Sequence, residues 1–231
     1  MRAAGNVILA SVAGFLALAS AAMAAYPGGS WLEQRAASHD FWRNFLCDVL
    51  GPVAINRQPN PLGSALMISA MLVMAVGLAT AWWAIPWLFT PVAGKTQEPP
   101  PFTPSGVEGA LGRALRISGM TSMVGLIAVP LTPPTVSYAW HAAAVFGGGA
   151  PALLAWTLAV IGLWRAPKTK RLGVLGAVAL ASVAVALGLY ALALGDTAHP
   201  NLLLPVSHRV ATALFVAWLL AVALALRGSR G

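Results

Sequence analysis

Residues 172–194 read LGVLGAVALASVAVALGLYALAL, with no Asp, Glu, Lys or Arg among them. At about 1.5 Å per residue, a helix of this length is about 34 Å long, enough to cross a hydrocarbon layer of about 30 Å. The run has no period-2 alternation of polarity, so it does not read as a barrel strand. A backbone surrounded by lipid must satisfy its own hydrogen bonds, and a helix does so within one segment. Lys168, Lys170 and Arg171 precede the run, and Asp196 and His199 follow it. It therefore reads as one membrane span with a basic flank.

Five more runs of the same kind lie at 7–26, 65–88, 111–131, 138–164 and 202–226. The composition agrees: 58% of the 231 residues are hydrophobic and 9% charged, where soluble domains average about 25% charged. The expected fold is all-α, a polytopic bundle of six transmembrane helices forming one domain. The first run also has the form of a secretory signal, with Arg2, an apolar stretch and Ala22-Met23-Ala24 as a cleavage site. Residues 95–105, with Pro99, Pro100, Pro101 and Pro104, read as an extended linker. No internal repeat divides the spans into similar halves of the kind many transporters show.

The net charge of +8 is explained by topology and not by nucleic acid. With the N-terminus inside, ten of the fourteen Lys and Arg residues fall on the inner side: Arg2, Lys95, Arg113, Arg116, Arg165, Lys168, Lys170, Arg171, Arg227 and Arg230. Arg35, Arg43, Arg57 and Arg209 fall outside. The positive-inside rule then places both termini in the cytoplasm, and the expected location is a cell (inner) membrane. Tyr26, Tyr138, Trp140 and Tyr190 fall at the outer boundary, and Trp82, Trp83, Trp87 and Trp164 near the inner one, as aromatic belts require.

The outer loop, 27–61, carries the chain's densest polar chemistry. Ser30-Trp31-Leu32-Glu33 has the form of a helix-starting capping box. Over 38–50, Phe41, Phe45 and Val49 share one helical face with Trp42, Leu46 and Leu50 beside them, while Asp40, Asn44 and Asp48 form a polar row. The spacing predicts an amphipathic helix lying at the interface. Its sharper reading is a lid whose acidic row faces a pocket between the outer helix ends.

Tyr26-Pro27-Gly28-Gly29 and Asn44-Phe45-Leu46-Cys47-Asp48 resemble two elements of uncharacterised bacterial multi-span membrane proteins related to the DRAM/Frag/Sfk-like group. Val129-Pro130-Leu131-Thr132-Pro133 followed by His141 resembles their third-to-fourth span junction, and 208–226 with Trp218 their last span. Cys47 stands where small residues are common. The resemblance covers most of the chain and implies a six-helix bundle, but the group has no agreed activity.

Several residues invite chemistry. All four histidines, His39, His141, His199 and His208, map to the outer side with Asp40, Asp48, Asp196 and Cys47. Asp48, His141 and His208 have the donor chemistry of a zinc site. That would make the protein a metal-dependent hydrolase, like membrane ceramidase-type enzymes but without their His-x-x-x-His pair. His141 and His208 are also candidate axial ligands of a haem, as in an electron carrier. The bland reading gives each of them an interfacial, solvated place, because span centres reject polar residues. Arg209, near the outer end of the last span, is expected to snorkel to water; the alternative is pairing with Asp48 or Asp196. No acid or Lys lies mid-span, which argues against ion-coupled transport. Gly147-Gly148-Gly149 lacks the Lys and preceding strand of a phosphate loop and reads as a close helix approach, as do Gly173 and Gly176.

The function expected from these features is a non-enzymatic membrane protein binding a membrane lipid or apolar ligand at its outer end, through Phe41, Trp42, Asn44, Asp48 and Arg209. No cofactor is expected on this reading, with zinc as the alternative and no nucleic acid as partner.

Overall fold

The structure, a computed structural model, describes residues 1–89, 106–195 and 202–228. The linker read at 95–105, and Asp196, His199 and Arg230, lie outside the described residues. Six helices make up the bundle: α1 (Arg2–Ala25), α2 (Pro61–Ala84), α3 (Gly106–Leu131), α4 (Tyr138–Arg165), α5 (Lys170–Gly195) and α6 (Leu203–Gly228). All six are long and apolar enough to cross a membrane. A 3-10 segment, Ile85–Leu88, extends α2 through Pro86. The chain is thus an all-α, multi-pass membrane protein, as the apolar runs foretold.

Each helix packs on the next along the chain, and α6 returns to α1, closing a ring. Small residues set the closest crossings. A Cβ built on Gly125 of α3 would lie 2.2 Å from the Gly148 Cα of α4. Only this member of the Gly147–Gly149 triplet serves such an approach: Gly147 meets nothing within 4 Å. Gly173 lies against the Trp164 backbone and Gly176 against the Trp218 indole, so both glycines do serve packing. Outward faces remain apolar, with Leu192, Val124, Ile117 and Leu131 largely exposed, as lipid contact demands.

Indole rings fill the half of the ring away from residues 27–60. Trp156 stacks on Trp218 at 4.8 Å between centroids, Phe215 sits 4.8 Å from Trp156, and Trp82 lies 6.2 Å from Trp218. Trp82 is 2% exposed; it belongs to this cluster and not to an interfacial belt. Trp83, Trp87 and Trp164 are exposed, and cations sit over two of them: Arg116 is 4.7 Å from the Trp83 ring and Lys170 5.6 Å from that of Trp164.

The amphipathic helix expected at 38–50 does not form. Residues 41–43 make a turn, and a 3-10 helix covers only Leu46–Leu50. The physical reason is local competition. Asp40 Oδ1 accepts from the backbone N–H of Trp42 at 2.8 Å and of Arg43 at 3.1 Å, and Asp48 Oδ2 from that of Phe45 at 2.9 Å. Short acidic side chains that satisfy nearby N–H groups in this way favour turns and caps over helix interiors. Ser30 and Glu33 likewise close a turn without starting a helix: Ser30 Oγ accepts from the Glu33 N–H at 3.0 Å, and the two backbones exchange hydrogen bonds.

Candidate functional site: a roofed cavity between the helices

The residue 27–60 segment folds over one end of the ring, and side-chain amides knit it together. Gly28 and Gly29 adopt φ of 121° and 83°, a region L side chains rarely enter. A Cβ there would also strike backbone: Ala36 O at 2.2 Å for Gly28 and Asn56 N at 2.4 Å for Gly29. The Tyr-Pro-Gly-Gly step is therefore a crossing point of the loop with itself. Asn44 Nδ2 donates to Gly29 O at 2.7 Å and to Asp48 Oδ2 at 3.0 Å, and its Oδ1 accepts from the Asp40 N–H at 2.9 Å. Trp31 Nε1 donates to Asp48 Oδ1 at 3.1 Å. Asn60 Nδ2 donates to Val49 O and Gly51 O, both at 2.9 Å, and Ser64 Oγ to Leu50 O at 2.6 Å, fixing the segment on α2.

Asp48 is 1% exposed. Burial outweighs its donors Asn44, Phe45 and Trp31 and raises its carboxyl to about 6. Burial next to Asp48 likewise pushes the Cys47 thiol up to about 12. Burial and the neighbouring Arg209 bring His39 down to about 4, so its imidazole is neutral in the fold.

Arg209 does not snorkel. It is 6% exposed, and its guanidinium reaches up from α6 into the loop. Nε donates to Phe41 O at 3.0 Å and one Nη to Asn44 O at 3.0 Å, with His39 Nε2 3.3 Å away. The guanidinium carbon sits 4.7 Å from the centre of the Phe41 ring. Fixed carbonyl dipoles replace water here, and the planar fork suits them. Nor does Arg209 form the ion pair with Asp48 expected as the alternative: its acceptors are backbone carbonyls, and through them it latches the loop.

Beneath this roof the ring is hollow. A cavity of about 790 Å³ runs from Trp31, Phe45, Cys47 and Asp48 down to Trp82, Trp156 and Phe215. Its wall is overwhelmingly carbon. Sequence reasoning missed this floor. The signal was Trp156 and Trp218 in mid-span, with Phe215 three residues before Trp218 and hence on the same face.

The predicted site residues divide. Asp48, His141 and His208 line the cavity. Phe41 and Trp42 do not; their rings pack on each other at 5.0 Å and are about half exposed on the loop surface. Asn44 and Arg209 hold the roof and are not among the lining residues. His141 Nδ1 lies 2.8 Å from Thr132 O, tying α4 to the end of α3. The His208 ring packs edge-on to Phe45 at 5.8 Å, with its Nδ1 buried and unpartnered. Asp48, His141 and His208 share a wall without converging: among the described residues, no three His, Cys, Asp or Glu side chains group closely enough to hold one metal ion. Comparison with known proteins found no matching family model, curated protein or solved structure.

Proposed function

We propose that this chain is a binding protein, not an enzyme, which holds a lipid or other apolar ligand in the roofed cavity. The loop end is then extracytoplasmic and both termini cytoplasmic, in a bacterial inner membrane, as the distribution of Lys and Arg supports. The observation that carries the reading is the cavity itself: about 790 Å³, walled by carbon and closed above by a hydrogen-bonded loop. Ligand pockets for small molecules run about 300–1,000 Å³ and are mostly apolar. The polar residues at the roof support a binding role too. Asp48 is spent on three donors and His141 on a carbonyl, so they build the pocket's upper wall. Asn44 and Asp48, two of the residues that carry the resemblance to the uncharacterised bacterial multi-span group, brace the roof.

Solvent extraction of the purified protein, with mass-spectrometric counting of lipid per chain, tests this. Ala152 lines the cavity, and Ala152→Trp would fill part of it. The wild type should retain a lipid near one per chain, and the variant should lose it. Equal lipid content in both, with both folded, would remove the proposal.

A further inference from the structure

The cavity wall is unevenly closed, and the uneven part is α5. In its first half Leu172, Gly173, Gly176 and Ala179 are buried, but no residue from 181 to 193 is. On the α4 side this half is stitched shut: Tyr190 stacks on Phe146 at 6.0 Å and packs against Tyr138 at 6.5 Å, while Leu187 lies against Gly149. The remaining lining residues of this half are Val183, Ala186, Leu189, Leu192 and Ala193, and α6 contributes Leu203, Leu204 and Ala211 among others. Leu192 is 75% exposed and Leu203 54% exposed, yet both line the cavity. The interior is therefore continuous with the lipid-facing surface between α5 and α6.

Depth identifies the occupant. Lining residues run from Tyr138 to Trp156 on α4 and from Leu203 to Phe215 on α6, which at 1.5 Å per residue is about 18–27 Å. Half of a hydrocarbon layer of about 30 Å is roughly 15 Å, so the cavity is deep enough to take the full chains of a lipid from one leaflet. Charge narrows the headgroup. Among the lining residues Arg43 is the one Arg or Lys and Asp48 the one Asp or Glu, with His141 and His208 beside them. Arg43 is held by Glu33 at 2.7 Å and Asp40 at 3.6 Å, and Asp48 by its three donors. Among the lining residues no Lys or Arg is left over for a phosphate, and burying an unpaired anion in such a site is costly.

We propose that the cavity loads sideways, through the gap between α5 and α6, with one uncharged long-chain lipid from the leaflet at the loop end. The proposal rests on the binding function above and adds the route and the headgroup class. The test places the full-length protein in phosphatidylcholine nanodiscs with a diacylglycerol carrying a diazirine at its chain end, or with the phosphatidic acid of the same chains. After photolysis, adducts are mapped on Ala152, Trp156 and Phe215 and normalised to the lipid-facing Val124 and Leu131. Diacylglycerol should label the interior at least about tenfold more than phosphatidic acid. Ala186→Trp and Leu189→Trp, which narrow the gap, should slow interior labelling about tenfold, and Ala181→Trp, on the exposed face, should not. Undiminished labelling in both gap variants overturns sideways entry while the binding function stands. Equal labelling by the two probes overturns the uncharged headgroup. Adducts on Val124 and Leu131 alone overturn this proposal and the binding function together.

Discussion

Arg209 donates to the main-chain carbonyl of Phe41 at 3.0 Å and lies 4.7 Å from the centre of that residue's ring. One guanidinium on the last helix thus grips a loop 168 residues earlier in the chain, by its backbone and by its side chain. Hydrogen bonds to charged groups are worth roughly 1.5–3 kcal/mol each, and an Arg over an aromatic face about 0.5–2 kcal/mol more. The loop's hold on α6 therefore turns on this side chain, as its hold on α2 turns on Asn60 and Ser64.

Arg209→Met should release the loop while leaving the six helices in place. Limited proteolysis in detergent micelles should cut the variant within residues 27–60 at least about tenfold faster, with helix content by circular dichroism unchanged. Arg209→Lys should be intermediate, because an ammonium lacks the planar fork that reaches two carbonyls at once. A wild-type cutting rate in Arg209→Met would refute the latch.

Cys47 reports the same event chemically. Its thiol lines the cavity under the roof, and burial beside Asp48 pushes it up to about 12, so almost none is thiolate near neutrality. The thiolate is the nucleophile. A maleimide should modify the folded wild type very slowly at pH 7.5, and Arg209→Met by at least about tenfold faster. Rapid modification of the wild type would mean that the roof stands open.

Much of this bundle was legible because lipid leaves a strong mark on sequence. Residues 138–164 and 172–194 were read as spans and are helical throughout, since an uncharged run of that length has no other stable state in a bilayer. The loop was not legible in the same way. Phe41, Phe45 and Val49 have helical spacing, but Asp40 and Asp48 spend their oxygens on local N–H groups and turn the chain instead. Arg209 was misplaced because its partners are carbonyls, and carbonyls carry no signature in sequence. Trp82 was assigned to a belt and lies in the core, since its distance from a span end says nothing of the face it occupies.

Two glycines should behave oppositely. In Gly125→Ala the new methyl would lie 2.2 Å from Gly148 Cα and N, both backbone atoms, so α3 and α4 must part. Overpacking of this kind costs about 1–3 kcal/mol, which should lower the midpoint of thermal unfolding in detergent by several degrees. Gly147→Ala, with nothing within 4 Å, should match or exceed the wild type, because alanine is the better helix former. Equal midpoints for the two variants would show that the crossing is looser than this.

The pH dependence of the roof comes from two groups of opposite sign. Asp48 rises to about 6 in the fold from 3.8, so the closed loop holds its proton more tightly than the released one. That contribution is fully present below about pH 4 and is lost as pH rises to 6; two units correspond to about 3 kcal/mol. His39 falls to about 4 from 6.5, so its contribution is present above 6.5 and is lost as pH falls towards 4. Between pH 4 and 6 the two oppose, and wild-type proteolysis rates in the loop should change little. Asp48→Asn removes the titrating group while one carbonyl oxygen still accepts from Asn44 and Phe45, leaving the His39 contribution alone, so acid should loosen that variant's loop. His39→Gln leaves Asp48 alone, so acid should tighten it. Acid protease resistance changing in the same direction in both variants would contradict the assignment of these groups.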